Sequence, residues 1–285
     1  MPRFERPATV MQAASLLASG PWALLAGGTD LYPAHVGRPL ALPVLDLSSI
    51  ASLRGISREE RGWRIGATTP WTDVIRADLP PLFDALKAAA HEVGGVQIQN
   101  AGTVAGNLCN ASPAADGTPV LMAMGASVLL ASERGERELP IEDFVLGARR
   151  TARAEDELVV AIRVPARSSN ARSAFIKLGG RRYLTISMTM VAAVIDRGDA
   201  DCVVHAGIAV GSCSAVARRL PALEVKLLGA VVDSDLAALV EPADLAPLTP
   251  IDDLRASAAY RLDATLTLLR RALGSLDAGG VKAVQ

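Results

Sequence analysis

Hydrophobic spacing divides the 285-residue chain into many short elements. Val10, Ala13, Ala14 and Leu17 recur at helical spacing, and Pro7 and Gly20 bracket them, which predicts a helix over Pro7–Ser19. Trp22–Ala26 is a short apolar run stopped by Gly27-Gly28, the pattern of a buried strand entering a tight turn. Pro43–Leu47 predicts a further strand, and Ser52–Ser57 with Gly62–Ala67 predicts a hairpin across Arg58–Arg61. Helical patterns follow at Trp71–Ala77 and Leu82–Val93, then a hairpin over Val128–Leu139 and a strand over Glu157–Val164. Pro165–Asn170 interrupts the pattern and is the expected domain boundary. Beyond it Ser173–Leu178, Met188–Asp196 and Asp201–Val210 predict an antiparallel sheet, with Gly198-Asp199 in its second turn. Two or three helices are expected after that, the last over Asp252–Leu273. Leu254, Ala258, Arg261, Leu262, Thr265, Leu268 and Leu269 favour one face of it, and Asp252 is the expected N-cap.

Charge and composition narrow the class. Twenty-nine Lys+Arg against 30 Asp+Glu is a balance that a general nucleic-acid or anionic-membrane binder would not show. Half the residues are apolar, yet they are dispersed, and no run reaches the ~20 residues of a membrane span. The start, Met1–Arg6, has no apolar stretch behind its charges, so no signal peptide is expected and the assignment is cytoplasmic. Cys109, Cys202 and Cys213 are dispersed, and His35, His91 and His205 are scattered. That argues against a disulfide framework, a thiolate zinc site or an iron–sulfur cluster.

Two neutral, glycine-rich segments remain: Leu24-Leu25-Ala26-Gly27-Gly28-Thr29-Asp30-Leu31 and Asn100-Ala-Gly-Thr103-Val104-Ala105-Gly106-Asn107. Successive backbone amides in such turns can cradle an anion without Lys or Arg, and two of them suit a diphosphate; ordinary tight turns are the alternative. Neither segment carries a Walker Lys-Ser/Thr or a GxGxxG that closes a strand and opens a helix. Asp116 is the one charged side chain between Glu92 and Glu133. A carboxylate in such a neighbourhood must accept hydrogen bonds, from backbone amides or from ligand hydroxyls. Lys177 and Arg181-Arg182 form either a solvated rim or a source of positive charge for an electron-rich ring. No nucleophile triad or acid–base pair supports a hydrolase.

The order Ala26–Leu31, Gly66–Thr69, Gln97–Asn107, Ala111–Asp116, Asp156–Val159, Lys177 with Arg181-Arg182 and Pro250–Arg255 resembles the FAD-binding medium subunit of molybdenum hydroxylases. That family includes xanthine dehydrogenase and carbon monoxide dehydrogenase. The resemblance covers nearly the whole chain. It implies an α+β fold: a two-lobed FAD-binding domain of the vanillyl-alcohol oxidase type over 1–168 (lobes about 1–57 and 58–168), then a C-terminal antiparallel sheet-plus-helices domain over 169–285.

The resemblance further implies that Leu24–Leu31 and Thr103–Asn107 hold the pyrophosphate of a non-covalent FAD, with Asn110 and Asp116 at polar positions along it. Val93, Gly94, Leu158 and Val159 would flank the flavin or adenine, and Lys177 would approach the ring. Departures from the family pattern are Gln99, Ala105 and the absence of acidic residues near Tyr183–Thr185, the last bearing on the flavin edge. The implied function is electron transfer from [2Fe–2S] clusters to an external acceptor. The clusters would sit on a small partner subunit and molybdopterin on a large one, in a dimer of heterotrimers. A self-contained flavin reductase of the same fold and a flavin-free scaffold subunit are the alternatives.

Overall fold

The computed structural model describes residues 3–182, 184–198, 201–232 and 235–277. The chain opens with β1 (Phe4–Glu5), α1 (Val10–Ala18), β2 (Ala23–Leu25) and β3 (Val44–Asp46). Thr9 ends the extended entry to α1 and its hydroxyl accepts the Gln12 N–H, satisfying one of the amides that a helix start leaves open. β1, β3 and β2 form a small parallel sheet in that order, and Ala13, Ala14 and Leu17 turn inward into a core shared with Leu45, Leu129, Ala131 and Leu158.

The middle lobe comprises β4 (Ile56–Glu59), β5 (Gly62–Gly66), α2 (Trp71–Arg76), α3 (Asp84–Glu92), α4 (Val96–Ala101), α5 (Val104–Asn110), α6 (Gly117–Ala123), β6 (Ser127–Ser132) and β7 (Gly135–Pro140). It continues through α7 (Ile141–Phe144), the small hairpin β8 (Val145–Gly147) and β9 (Arg150–Thr151), and β10 (Leu158–Pro165). Its five-stranded sheet is antiparallel throughout, in the order β4-β5-β10-β6-β7. Successive side chains on a strand face opposite ways. On β10, Leu158 and Val160 pack toward the N-terminal lobe and Val159 into the helical layer; a bulge between Val159 and Ala161 then shifts the alternation by one, so that Ala161 faces the N-terminal lobe and Ile162 and Val164 face the helical layer.

The last unit has β11 (Arg172–Gly179), β12 (Ser187–Arg197), β13 (Val203–Gly211) and β14 (Arg218–Arg219) in one antiparallel sheet, followed by α8 (Pro221–Leu227) and α9 (Ala258–Asp277). Met190–Ile195 on β12 is continuously apolar because both faces of the sheet are covered. Ala192 and Val194 join the core with α3 and α6, while Val191, Ala193 and Ile195 join α8 and α9. Burying each Val or Ile side chain stabilises the fold by about 1.5–3 kcal/mol, so this strand fastens the C-terminal unit to the middle lobe.

Several expectations need correction. The first hairpin strand starts at Ile56 rather than Ser52, because Ala51–Leu53 form a 3-10 turn and Gly55 has φ +107°. The Asn100–Asn107 segment is the end of α4 and the start of α5, with only Gly102-Thr103 between them. The last helix begins at Ala258, six residues late, and Leu254 is 96% exposed ahead of it. Asp252 still accepts the Ala258 N–H at 2.6 Å, from six residues before, and Ser257 Oγ accepts from Tyr260 N–H. Asp199 of the expected turn and Tyr183 lie outside the described residues. No described helix is long and apolar enough to cross a membrane.

Candidate functional site: a cleft between two glycine-rich segments

The parallel strand β2 releases the chain into Ala26–Leu31, which lies against the junction of α4 and α5. The contact is close because two residues lack side chains. A Cβ on Gly27 would stand 1.9 Å from the Ala101 carbonyl oxygen, and one on Gly102 would stand 2.9 Å from the Ile98 carbonyl and 3.2 Å from Thr29 Oγ1. Gly28 has φ +70°, which strains any L side chain, and its Cβ would meet the Tyr32 ring at 2.6 Å. These glycines first serve the approach of one loop to the other, and that approach in turn shapes the space for a ligand.

The result is a cleft of about 590 Å³, within the range of small-molecule sites. Leu24, Ala26, Gly27, Gly28, Thr29, Asp30 and Leu31 line one wall. Thr103, Ala105, Gly106, Asn107 and Asn110 line the other, and Val93 and Val159 lie between. Asn110 Nδ2 donates to Asp30 Oδ1 at 2.9 Å and ties the walls together. Among the described residues, no acceptor takes the amides of Gly27, Gly28, Thr29, Asp30 or Leu31. Thr103 caps α5, its Oγ1 accepting from Gly106 N–H at 3.0 Å.

A second cleft of about 380 Å³ shares Val93 and Asn107 with the first and adds Gly94 and Asp116 among its lining residues. Asn107 Oδ1 is buried and has no partner among the described residues, which leaves an acceptor at the junction of the two spaces. Asp116 is buried, and its partners are neither backbone amides nor left to a ligand. Lys177 Nζ donates to Oδ2 at 2.9 Å and Ser187 Oγ donates to Oδ1 at 2.9 Å, both from the C-terminal sheet. Burial pushes the Asp116 carboxyl above its ordinary pKa, while the Lys177 charge and the two hydrogen bonds oppose that shift. The Lys177 ammonium also lies 3.7 Å from Glu92.

Four of the expected residues do not line either space. Leu25 and Leu158 point to the core faces of β2 and β10, Val104 is fully buried on the inner side of α5, and Lys177 is committed to its carboxylates. Sequence reasoning missed others that line the first cleft: His35, Trp71, Ile98, Cys109, Arg149 and Arg153. Leu184 and Thr185, of the segment expected at the flavin edge, line the second together with the unanticipated Ile186. Most of these lie outside the glycine-rich motifs and reach the clefts only through tertiary folding, so no local pattern marks them.

Comparison with known proteins places this architecture in a class. The profile described as the FAD binding domain in molybdopterin dehydrogenase matches residues 2–167, and that of the CO dehydrogenase flavoprotein C-terminal domain matches residues 158–276. The chain therefore belongs to the flavoprotein family of molybdopterin dehydrogenases, as an FAD-binding oxidoreductase subunit. It is 32% identical over 285 residues to the carbon monoxide dehydrogenase medium chain of Hydrogenophaga pseudoflava, covering 96% of this chain and 97% of that one. It is 34% identical over 253 residues to the caffeine dehydrogenase subunit beta of Pseudomonas sp. strain CBB1, covering 85% and 81%. The structure superposes on the H. pseudoflava carbon monoxide dehydrogenase lacking the Mo-pyranopterin moiety, with TM-score 0.84, 30% identity and 98% coverage of both chains.

The cleft suits the dinucleotide that this family implies. Five open amides on one loop can receive phosphate oxygens, and the orphan Asn107 acceptor can receive a hydroxyl or ring N–H.

Proposed function

We propose that the chain binds one FAD non-covalently across the two joined clefts and passes electrons from a partner's [2Fe–2S] clusters to an external acceptor. The observation that carries this reading is the row of amides from Gly27 to Leu31, without a partner among the described residues, on a segment packed against the α4–α5 junction. In this reading that row holds the diphosphate, and Thr103–Asn107 and Asn110 close the other side. Val93, Gly94 and Val159 give the aromatic rings an apolar wall, and the buried Asp116–Lys177 pair fixes the C-terminal sheet beside them. Bound FAD would supply a two-electron store that can be emptied one electron at a time.

The division at residue 168 separates the cofactor-binding part from the C-terminal unit in this reading. The clusters and the molybdopterin belong to a small and a large partner subunit, arranged as a dimer of heterotrimers in the cytoplasm. Hydroxylation of an organic substrate then takes place on the large subunit.

The test is spectroscopic and preparative. The purified chain should be yellow, and acid precipitation should release all of its flavin as FAD. Dithionite should bleach it, and no organic substrate should be turned over until the two partners are added. Flavin retained in the pellet would overturn the non-covalent assignment. Substrate turnover by the chain alone would replace the subunit reading with a self-contained flavoenzyme.

A further inference from the structure

The lining of the larger cleft contains one carboxylate, Asp30, and two guanidinium groups that the glycine motifs do not predict, Arg149 and Arg153. Both come from the hairpin of β8 and β9 and the turn beyond it. Arg149 sits at the hairpin tip with φ +57°, a left-handed conformation that disfavours a non-glycine residue. Its backbone N–H donates to the Ala111 carbonyl at 3.2 Å. Ala111 is itself left-handed, φ 46°, where α5 ends. The hairpin tip is thus pinned to the cleft wall, and a strained position carries a long cationic side chain where glycine would be unstrained.

The guanidinium of Arg149 lines the exposed side of the cleft and meets no carboxylate or carbonyl among the described residues. Arg153 is held differently. Its Nη1 donates to the carbonyls of Ala154, Glu155 and Glu157, which fixes the head and leaves Nε and Nη2 without a partner among the described residues. Asp30 is engaged by Asn110. One cation without a protein partner among the described residues and one held by carbonyls therefore line a cleft whose other donors include the threonine hydroxyls, His35 and the amides of Gly27–Leu31.

We propose that Arg149, seconded by Arg153, neutralises the phosphate charge of the bound dinucleotide and makes the cleft select FAD over phosphate-free flavin. This rests on the FAD reading above. Neutral amides orient phosphate oxygens, and a guanidinium adds the charge that distinguishes a diphosphate from a neutral side chain of similar size. Arg149 requires no rearrangement of an existing ion pair to do so.

The experiment uses the full chain freed of flavin, titrated with FAD and with riboflavin by flavin fluorescence. Arg149→Ala should raise the Kd for FAD by roughly tenfold, as a partly exposed charge-assisted hydrogen bond implies, and leave that for riboflavin within about twofold. Arg149→Gly relieves the left-handed backbone while removing the charge, so it should weaken FAD binding to the same extent with no loss of thermal stability. Arg149→Lys should recover most of the affinity. Raising salt from about 0.05 M to about 0.5 M should weaken FAD binding to the natural chain more than to Arg149→Gly. Equal losses for FAD and riboflavin, or an unchanged FAD affinity in both neutral variants, would overturn the assignment of charge recognition to Arg149. If the unmutated chain binds FAD no better than riboflavin, the FAD reading of the cleft falls and this inference falls with it.

Discussion

Replacing Lys177 with methionine removes one charge from the most buried ion pair that joins the middle lobe to the C-terminal sheet. The Lys177 side chain is 6% exposed and that of Asp116 is 9% exposed. Methionine keeps the length and apolar stem but leaves the Asp116 carboxylate held only by Ser187 Oγ. Breaking one half of a buried pair costs about 3–5 kcal/mol, because the remaining ion keeps its desolvation penalty and loses its compensation. At about 2–4 °C per kcal/mol for a chain of this size, the melting temperature should fall by roughly 6–20 °C at pH 8.

The sign with pH follows from the direction of the Asp116 shift. Burial already raises that carboxyl above its unfolded value, and loss of the Lys177 charge raises it further. The folded variant therefore binds a proton that the unfolded chain does not, and its stability relative to the natural chain is best at low pH. The deficit should open as pH rises through the raised folded pKa and be nearly closed by about pH 4. Adding Asp116→Asn to Lys177→Met should restore most of the loss at pH 8, since the amide still accepts from Ser187 and carries no charge. Glu92, one-quarter exposed, loses a partner too but remains solvated. Thermal and urea unfolding of the four proteins at pH 5 and pH 8 supplies the cycle. A penalty that is the same at both pH values, with no relief in the double variant, would refute the buried-charge reasoning.

Gly27→Ala should separate the two cleft walls, because a methyl at 1.9 Å from the Ala101 carbonyl oxygen has only backbone to displace. A cost of about 1–3 kcal/mol is expected, with FAD affinity down at least tenfold, measured by unfolding and flavin titration. Cys109 is exposed and lines the cleft, so FAD should protect it from maleimide while labelling of Cys202 stays unchanged; mass mapping reads both. His205 is half-buried, and burial, Arg167 and Arg219 hold its imidazole below the ordinary value, with Glu224 and Asp196 opposing. Its contribution to stability should be present above about pH 6.5 and be lost as pH falls through the depressed value; His205→Gln should flatten that slope in urea titrations.

What the sequence determined by itself is largely local. The helix spacing of Val10 to Leu17, the strand run ending at Gly27-Gly28, and the apolar strands β10 to β13 all follow from short-range periodicity, which survives any tertiary arrangement. The order of motifs also pointed to the family that the comparisons assign. Only the tertiary structure decided what the glycines touch. Gly27 and Ala101 are 74 residues apart, and no pattern within either segment reports that one backbone leaves room for the other. The same holds for Asp116, whose lack of charged neighbours along the chain was visible while its partners were not. Lys177 and Ser187 arrive from strands 61 and 71 residues later. It holds again for Arg149 and Arg153, which reach the cleft because a hairpin folds back onto the end of α5. Periodicity records which face of an element is buried; it carries no information about which distant element buries it, and charge pairing in a site depends on the second of these.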